Sequence, residues 1–223
     1  MQKFIHRRLL QVLVGIVLAA VTVSACNVWP GREGADGLDV SAYEKIHDAL
    51  MNMHSFSAEA TIKYISNKNT NEYITLQHAK MSGEYRIEVT GPEDVAGNIT
   101  VFDGTTIYQF NPNVSNQIAV SVNETPERSE VFLTSFIKNY IASVDSTVRA
   151  SNFDDSTATI LEANVAGNHP YMHTQKLWVD NETNKPLQMI VFDANGVERI
   201  VITYSNFEYN PELEDGLFHP PTQ

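Results

Sequence analysis

Cysteine is almost absent. Cys26 is the only one in 223 residues, so no intramolecular disulfide can form and a disulfide-framed scaffold is excluded. Basic residues are scarce too, 15 against 27 acidic ones, for a formal charge of −12. A body this acidic repels phosphate-rich surfaces, which argues against DNA, RNA or anionic lipid as a partner. No Gly-x-Ser-x-Gly elbow, His-Glu-x-x-His pair or glycine-rich phosphate loop occurs. There is no low-complexity segment and no obvious internal repeat. The one long apolar run, Leu9 to Val23, is interrupted by Gln11, Gly15 and Thr22 and falls short of the roughly 20 residues of a spanning helix.

That run has the parts of a secretory leader. Lys3, Arg7 and Arg8 precede it, and small residues close it at Val23-Ser24-Ala25-Cys26. The closing tetrapeptide resembles a lipobox, which implies cleavage before Cys26 and a diacylglycerol on its sulfur. Residues 1–25 are then a lipoprotein signal peptide. Loss of its three basic residues takes the formal charge from −12 to −15. Each buried methylene contributes about 0.8 kcal/mol and two acyl chains hold where one does not. The expected location is therefore the extracytoplasmic face of a bacterial membrane, lipid-anchored. Residues 26–39, with Pro30, Gly31, Gly34 and Gly37 and no apolar period, read as a flexible tether.

Residues 40–223 are long enough for one domain with a sizeable core. Ser41-Ala42-Tyr43-Glu44 has the spacing of a capping box, and Tyr43, Ile46, Leu50 and Met53 recur at helical intervals. The period then changes to two: Phe56, Ala58, Ala60, Ile62 and Tyr64 alternate with polar residues, which predicts a strand buried on one side. Further strands are expected at Glu72–Ala79, Tyr85–Val89, Asn98–Phe102, Thr105–Phe110 and Gln117–Val122, with Asp103-Gly104 as a two-residue turn. Thr125-Pro126 opens a second helix whose apolar stripe is Val131, Phe132, Phe136, Ile137, Tyr140, Ile141 and Val144. Strands near Ala158–Val165, Tyr171–Val179, Leu187–Asp193 and Glu198–Tyr204 follow, the last two joined at Asn195-Gly196. Connections this short leave little room for parallel crossovers. The fold class is α+β with a mainly antiparallel sheet.

Apparent catalytic features are weak. His169 and His173 have the spacing of helical metal ligands, but on a strand residues four apart lie about 13 Å apart, too far to share an ion. Asp154-Asp155 and Glu212 to Asp215 lie among turn residues and read as solvated charge. Lipidation would remove the one thiol. No enzyme activity, metal or cofactor is expected beyond the covalent diacylglycerol at Cys26.

Several segments carry a family resemblance. They are Tyr85-Arg86-Ile87-Glu88-Val89, Phe102-Asp103-Gly104, Phe110-Asn111-Pro112 and Ser135-Phe136-Ile137-Lys138-Asn139-Tyr140. Lys176-Leu177-Trp178-Val179-Asp180, Lys185-Pro186-Leu187, Phe192-Asp193 and Phe207-Glu208-Tyr209-Asn210-Pro211 continue the series. Their order over residues 43 to 218 resembles the LolA/LolB-like lipoprotein-carrier fold and, within it, the germination lipoproteins of spore-forming clostridia, GerS and its relatives. The resemblance implies an incomplete β-barrel: a strongly curved antiparallel sheet with helices covering its concave face. It also implies a greasy cavity, which Ile62, Tyr85, Ile87, Tyr108, Phe132, Phe136, Tyr140 and Trp178 could line, although such residues equally make a core.

Two functions remain open. The first is a non-catalytic anchored binding partner, which the resemblance links to a cell-wall amidase that modifies spore cortex during sporulation and germination. The second is a lipid or lipoprotein chaperone that takes acyl chains into the half-barrel. An open sheet would also expose an edge, where a partner or a second copy could add a strand.

Overall fold

The structure, a computed structural model, describes residues 37–114, 116–121 and 131–220. The leader, Cys26 and the Thr125-Pro126 helix start lie outside the described residues. Helix α1, Val40–Met51, buries Ala42, Ile46 and Leu50. Its cap is Asp39, two residues before the expected Ser41; the Asp39 carboxylate accepts from the Ala42 N–H at 3.0 Å. A carboxylate at the positive helix start gains from the dipole as well as the hydrogen bond, which a serine hydroxyl does not.

Eleven strands follow: β1 Ser55–Ile65, β2 Thr70–Lys80, β3 Tyr85–Gly91, β4 Ile99–Phe102, β5 Thr106–Asn111 and β6 Asn116–Ser121. After helix α2, Leu133–Ala142, come β7 Thr147–Phe153, β8 Ser156–His169, β9 Met172–Asp180, β10 Pro186–Phe192 and β11 Glu198–Tyr209. They form one antiparallel sheet in the order β6-β5-β4-β3-β2-β1-β11-β10-β9-β8-β7. Each neighbour is joined by a hairpin except at the centre, where β1 pairs with β11 and so brings the two ends of the domain together. Strand β7 has no counterpart among the sequence expectations. Its segment, Thr-Val-Arg-Ala-Ser-Asn-Phe, alternates from Thr147 to Ser151 with only Val148 and Ala150 as apolar positions, a short signal that those expectations leave out.

Register puts one continuous set of residues on one face. Across it run Tyr85, Ala79, Phe56 and Tyr209 in one row, and Ile62, Ile202, Met189, Leu177 and Leu161 in another. All but Tyr209, which packs against it, belong to a single buried cluster with Ile46 and Leu50 of α1 and Leu133, Phe136 and Ile137 of α2, so both helices cover this face. Asn206, at φ 49°, absorbs an irregularity in the β1–β11 register and keeps both Tyr204 and Phe207 on the buried side.

The same helix shows that the sheet curls. The Phe132 ring lies 4.3 Å from Tyr85 on β3, while the Asn139 amide donates to Gln175 Oε1 on β9 at 2.8 Å. Phe132 and Asn139 lie about 11 Å apart along a helix. In a flat sheet β3 and β9, five strand spacings apart in the order above, would be about 24 Å apart. Only a strongly curved sheet presents both strands to one short helix. Among the described residues β6 and β7 do not pair, so the barrel stays open as expected.

Three hairpins share a turn device in which an aspartate organises the backbone. Asp103 accepts from the N–H groups of Thr105 and Thr106, both at 2.8 Å, and Gly104 takes φ 99°. The central pair of this turn is therefore Gly104-Thr105, one residue beyond the expected Asp103-Gly104, because the glycine is needed where φ is positive. Asp180 accepts from Glu182 and Thr183 N–H, and Asp193 from Asn195 and Val197 N–H. Asp193 also receives Nε and Nη2 of Arg199 at 2.8 and 2.6 Å. Arg199 Nη1 reaches Asn67, and its guanidinium lies over the Tyr171 ring. One side chain thereby ties three turns at the same end of the sheet.

Candidate functional site

Alternation decides where the eight expected cavity residues lie. Ile62, Tyr85, Phe132, Phe136 and Tyr140 are all buried in the central cluster, and Ile87 packs against it. Tyr85 sits between Phe132 and Phe102, Phe136 stacks near Tyr140, and the Tyr140 hydroxyl lies 3.4 Å from that of Tyr43 on α1. These six come together under the helices. Tyr108 and Trp178 do not join them. Tyr108 pairs with Val101, across from Arg86, and Trp178 follows the buried Leu177, so both belong to the convex face. The Tyr108 hydroxyl instead helps to hold Asp103 ionised. In α2 the buried face adds Leu133 and leaves out Ile141 and Val144, which are exposed.

The concave face carries polar groups that an apolar pattern does not announce. Thr75, Gln77, Thr159 and Gln175 are buried there. Thr75 donates to the Ala60 carbonyl at 2.9 Å, and Gln77 donates to Thr75. Gln77 Oε1 and the Tyr204 hydroxyl are buried without a hydrogen-bond partner among the described residues. Burial pushes the Tyr204 phenol far above its ordinary value, so it stays protonated.

The two sheet edges differ in chemistry. Edge strand β7 carries Arg149, which is engaged by Glu162 of β8. Edge strand β6, Asn116-Gln117-Ile118-Ala119-Val120-Ser121, has no charge and no proline. Ile118 and Val120 stand on the concave side, in register with Gln109 and Ile107, and are 55% and 54% exposed. Natural edges are normally protected by charge, proline or a bulge. Strand β6 among its described residues has none of these. The signal lay in the sequence, as six consecutive uncharged residues ending a meander, but alternation alone does not say which strand is an edge.

Among the described residues, no group of three or more His, Cys, Asp or Glu side chains could hold a metal ion, and no helix is long and apolar enough to cross a membrane. His169 uses Nδ1 to accept from the Tyr171 N–H, and His173 pairs with Thr174. His78, on the convex side of β2, is held below its ordinary pKa by burial and by neighbouring Arg86, against a smaller opposing effect of Glu88.

Comparison with known proteins supplies the rest. No curated protein matches this chain. Among solved structures, an uncharacterized conserved protein from Thermus thermophilus is similar over 81% of this chain and 94% of its own, at 14% identity and a TM-score of 0.51, which marks a shared fold. Also similar is a chain in the structure of the CwlD amidase from Clostridioides difficile in complex with the GerS lipoprotein. There identity is 25%, coverage 80% of this chain and 100% of that one, and the TM-score 0.48. A LolA superfamily protein from Nitrosomonas europaea matches at 17% identity over 85% and 99%, with a TM-score of 0.43. The profile of one family covers nearly the whole chain, residues 14–218, and on that match the chain belongs to the Sporulation protein YdcC-like family.

Proposed function

We propose that this protein is a non-catalytic, lipid-anchored binding partner at the extracytoplasmic face of a bacterial membrane, and that edge strand β6 receives its protein partner. The observation that carries this reading is the β6 edge, which among the described residues has no charge, proline or bulge and shows two exposed apolar side chains on the concave side. A strand added there would complete the backbone ladder and extend the row Tyr85, Phe102, Ile107 and Val120 by one apolar residue. Membership of a sporulation family and the resemblance of the sequence to germination lipoproteins make a cell-wall amidase the first partner to try. Light scattering of the protein mixed with cell-wall amidases of its own organism should show a complex that the pair Ile118→Lys, Val120→Lys abolishes without unfolding the domain. Absence of any complex, or a complex indifferent to these changes, would refute it.

A second reading, a lipid or lipoprotein acceptor, is favoured by Gln77 Oε1 and the Tyr204 hydroxyl on the concave face, which have no hydrogen-bond partner among the described residues. Native mass spectrometry of protein purified from its own membrane would then show a co-purified acyl lipid, lost on Tyr204→Phe with Gln77→Leu.

A further inference from the structure

The convex face carries a groove that the partner-binding reading does not use. It holds about 400 Å³ and is lined by Arg149, Ile160, Lys176, Trp178, Phe192 and Glu198, with Ile190 in its floor. Register explains why these residues meet. Arg149, Ile160 and Trp178 form one cross-strand row on β7, β8 and β9, and Glu162, Lys176 and Ile190 form the next. Phe192 lies two residues further along β10, paired with Thr174. From the strand rise and spacing, the Trp178 and Phe192 positions lie about 14 Å apart, so one aromatic ring marks each end of the groove.

The charges of the groove are already balanced. Glu162 binds Arg149 at 2.5 Å and Lys176 at 3.5 Å, and Lys176 also lies 5.1 Å over the Phe192 ring. With Glu198 on the rim, two cations meet two carboxylates. A charged ligand would have to displace an ion pair, and an acyl chain would desolvate it. A ligand that is neutral, apolar on one face and rich in hydroxyls at its edges has neither cost. Its C–H face would lie against the electron-rich face of the Trp178 indole, while its edges exchange hydrogen bonds with the paired charges.

We infer that this groove binds a short neutral oligosaccharide, with Trp178 as its stacking platform, the Phe192 ring under Lys176 closing its far end, and Arg149, Lys176 and Glu198 as its polar rim, the two cations held by Glu162 beside it. The span suits several sugar rings rather than one. The site stands whether or not β6 takes a partner.

The sequence has only two tryptophans, Trp29 and Trp178, so a W29F variant makes Trp178 the single indole reporter. Titrating this full-length variant in detergent micelles with chitotetraose should give a saturable change in Trp178 emission, with a Kd of about 1 mM or tighter. Phe192→Ala in the same background should weaken binding about tenfold, the effect of losing about 1.4 kcal/mol. By calorimetry on the otherwise unaltered chain, Trp178→Ala should abolish it, and Ile118→Lys should leave it unchanged. No saturable response, a response undiminished by Phe192→Ala, or binding only to a polyanionic saccharide would overturn the proposal. Circular dichroism of each variant separates loss of the site from loss of the fold.

Discussion

The two faces of one sheet are built from the same strands yet do different work. On the concave face Phe56, Ala58, Ile62, Leu161, Leu177, Met189 and Ile202 are essentially sealed from water beneath two helices. On the convex face the same sheet presents Arg86 with Glu88, Arg149 with Glu162, and Lys176 over Phe192. Stability is concentrated in the first set, because burial of apolar area is the dominant favourable term in folding. The second set, and the β6 edge, are therefore free to be shaped for recognition. A one-residue step along β9, from Leu177 to Trp178, crosses from one role to the other.

Substitutions across the two faces test this division. The largest effect is expected at Phe136, fully buried on α2 between sheet and helix: Phe136→Ala should cost about 3–5 kcal/mol in urea unfolding. A loss below about 1 kcal/mol would mean that the concave core is looser than its burial implies. Next, Leu177→Ala should cost about 2–5 kcal/mol, and Trp178→Ala on the opposite face should cost clearly less despite its larger side chain. Equal losses would erase the distinction between the faces.

Acid provides a third probe, directed at the turns rather than either face. The Asp103 carboxyl is raised by burial, but the N–H groups of Thr106 and Thr105 and the hydroxyls of Thr105 and Tyr108 more than reverse this. Asp180 follows the same pattern through Thr183, Glu182 and Ser156. The Val197 N–H and Arg199 hold Asp193 low. Each folded value lies below the unfolded one, so the stabilisation is full above about pH 4 and is lost as pH falls through the folded values. Asp193→Asn should lessen the slope of unfolding free energy against pH in that acid range, and an unchanged slope would remove this turn from the account.

Smaller effects complete the comparison. Asp39→Ala removes the α1 cap and should cost about 1 kcal/mol. Ile118→Lys, on the exposed edge, should change stability by less than about 0.5 kcal/mol while affecting partner binding, a separation that no core position can show.

The resemblance read from the residues and the structure agree on an open, curved antiparallel sheet with covering helices. Strict alternation in Phe56 to Tyr64 marked β1 and its buried face, and the Phe132, Phe136, Tyr140 spacing marked the buried face of α2. Three things were less legible. Strand β7 alternates over only five residues, with Val148 and the small Ala150 as its apolar positions, so its periodic signal is weak. The α1 cap lay two residues upstream, since several side chains near a helix start can compete for the same N–H groups. Tyr108 and Trp178 were grouped with the concave aromatics because residue type says nothing about which way a strand faces.

The sequence by itself determined every strand but β7, the approximate places of the turns, the buried alternation and the acidic balance, since these depend on neighbours a few positions apart. Tertiary structure alone decided that β1 pairs with β11, that one short helix bridges β3 and β9, and that β6 is left as an edge. Those outcomes depend on contacts between residues far apart in the chain. Closure or opening of a sheet is set by how its total curvature compares with the number of strands, a property that no local pattern contains.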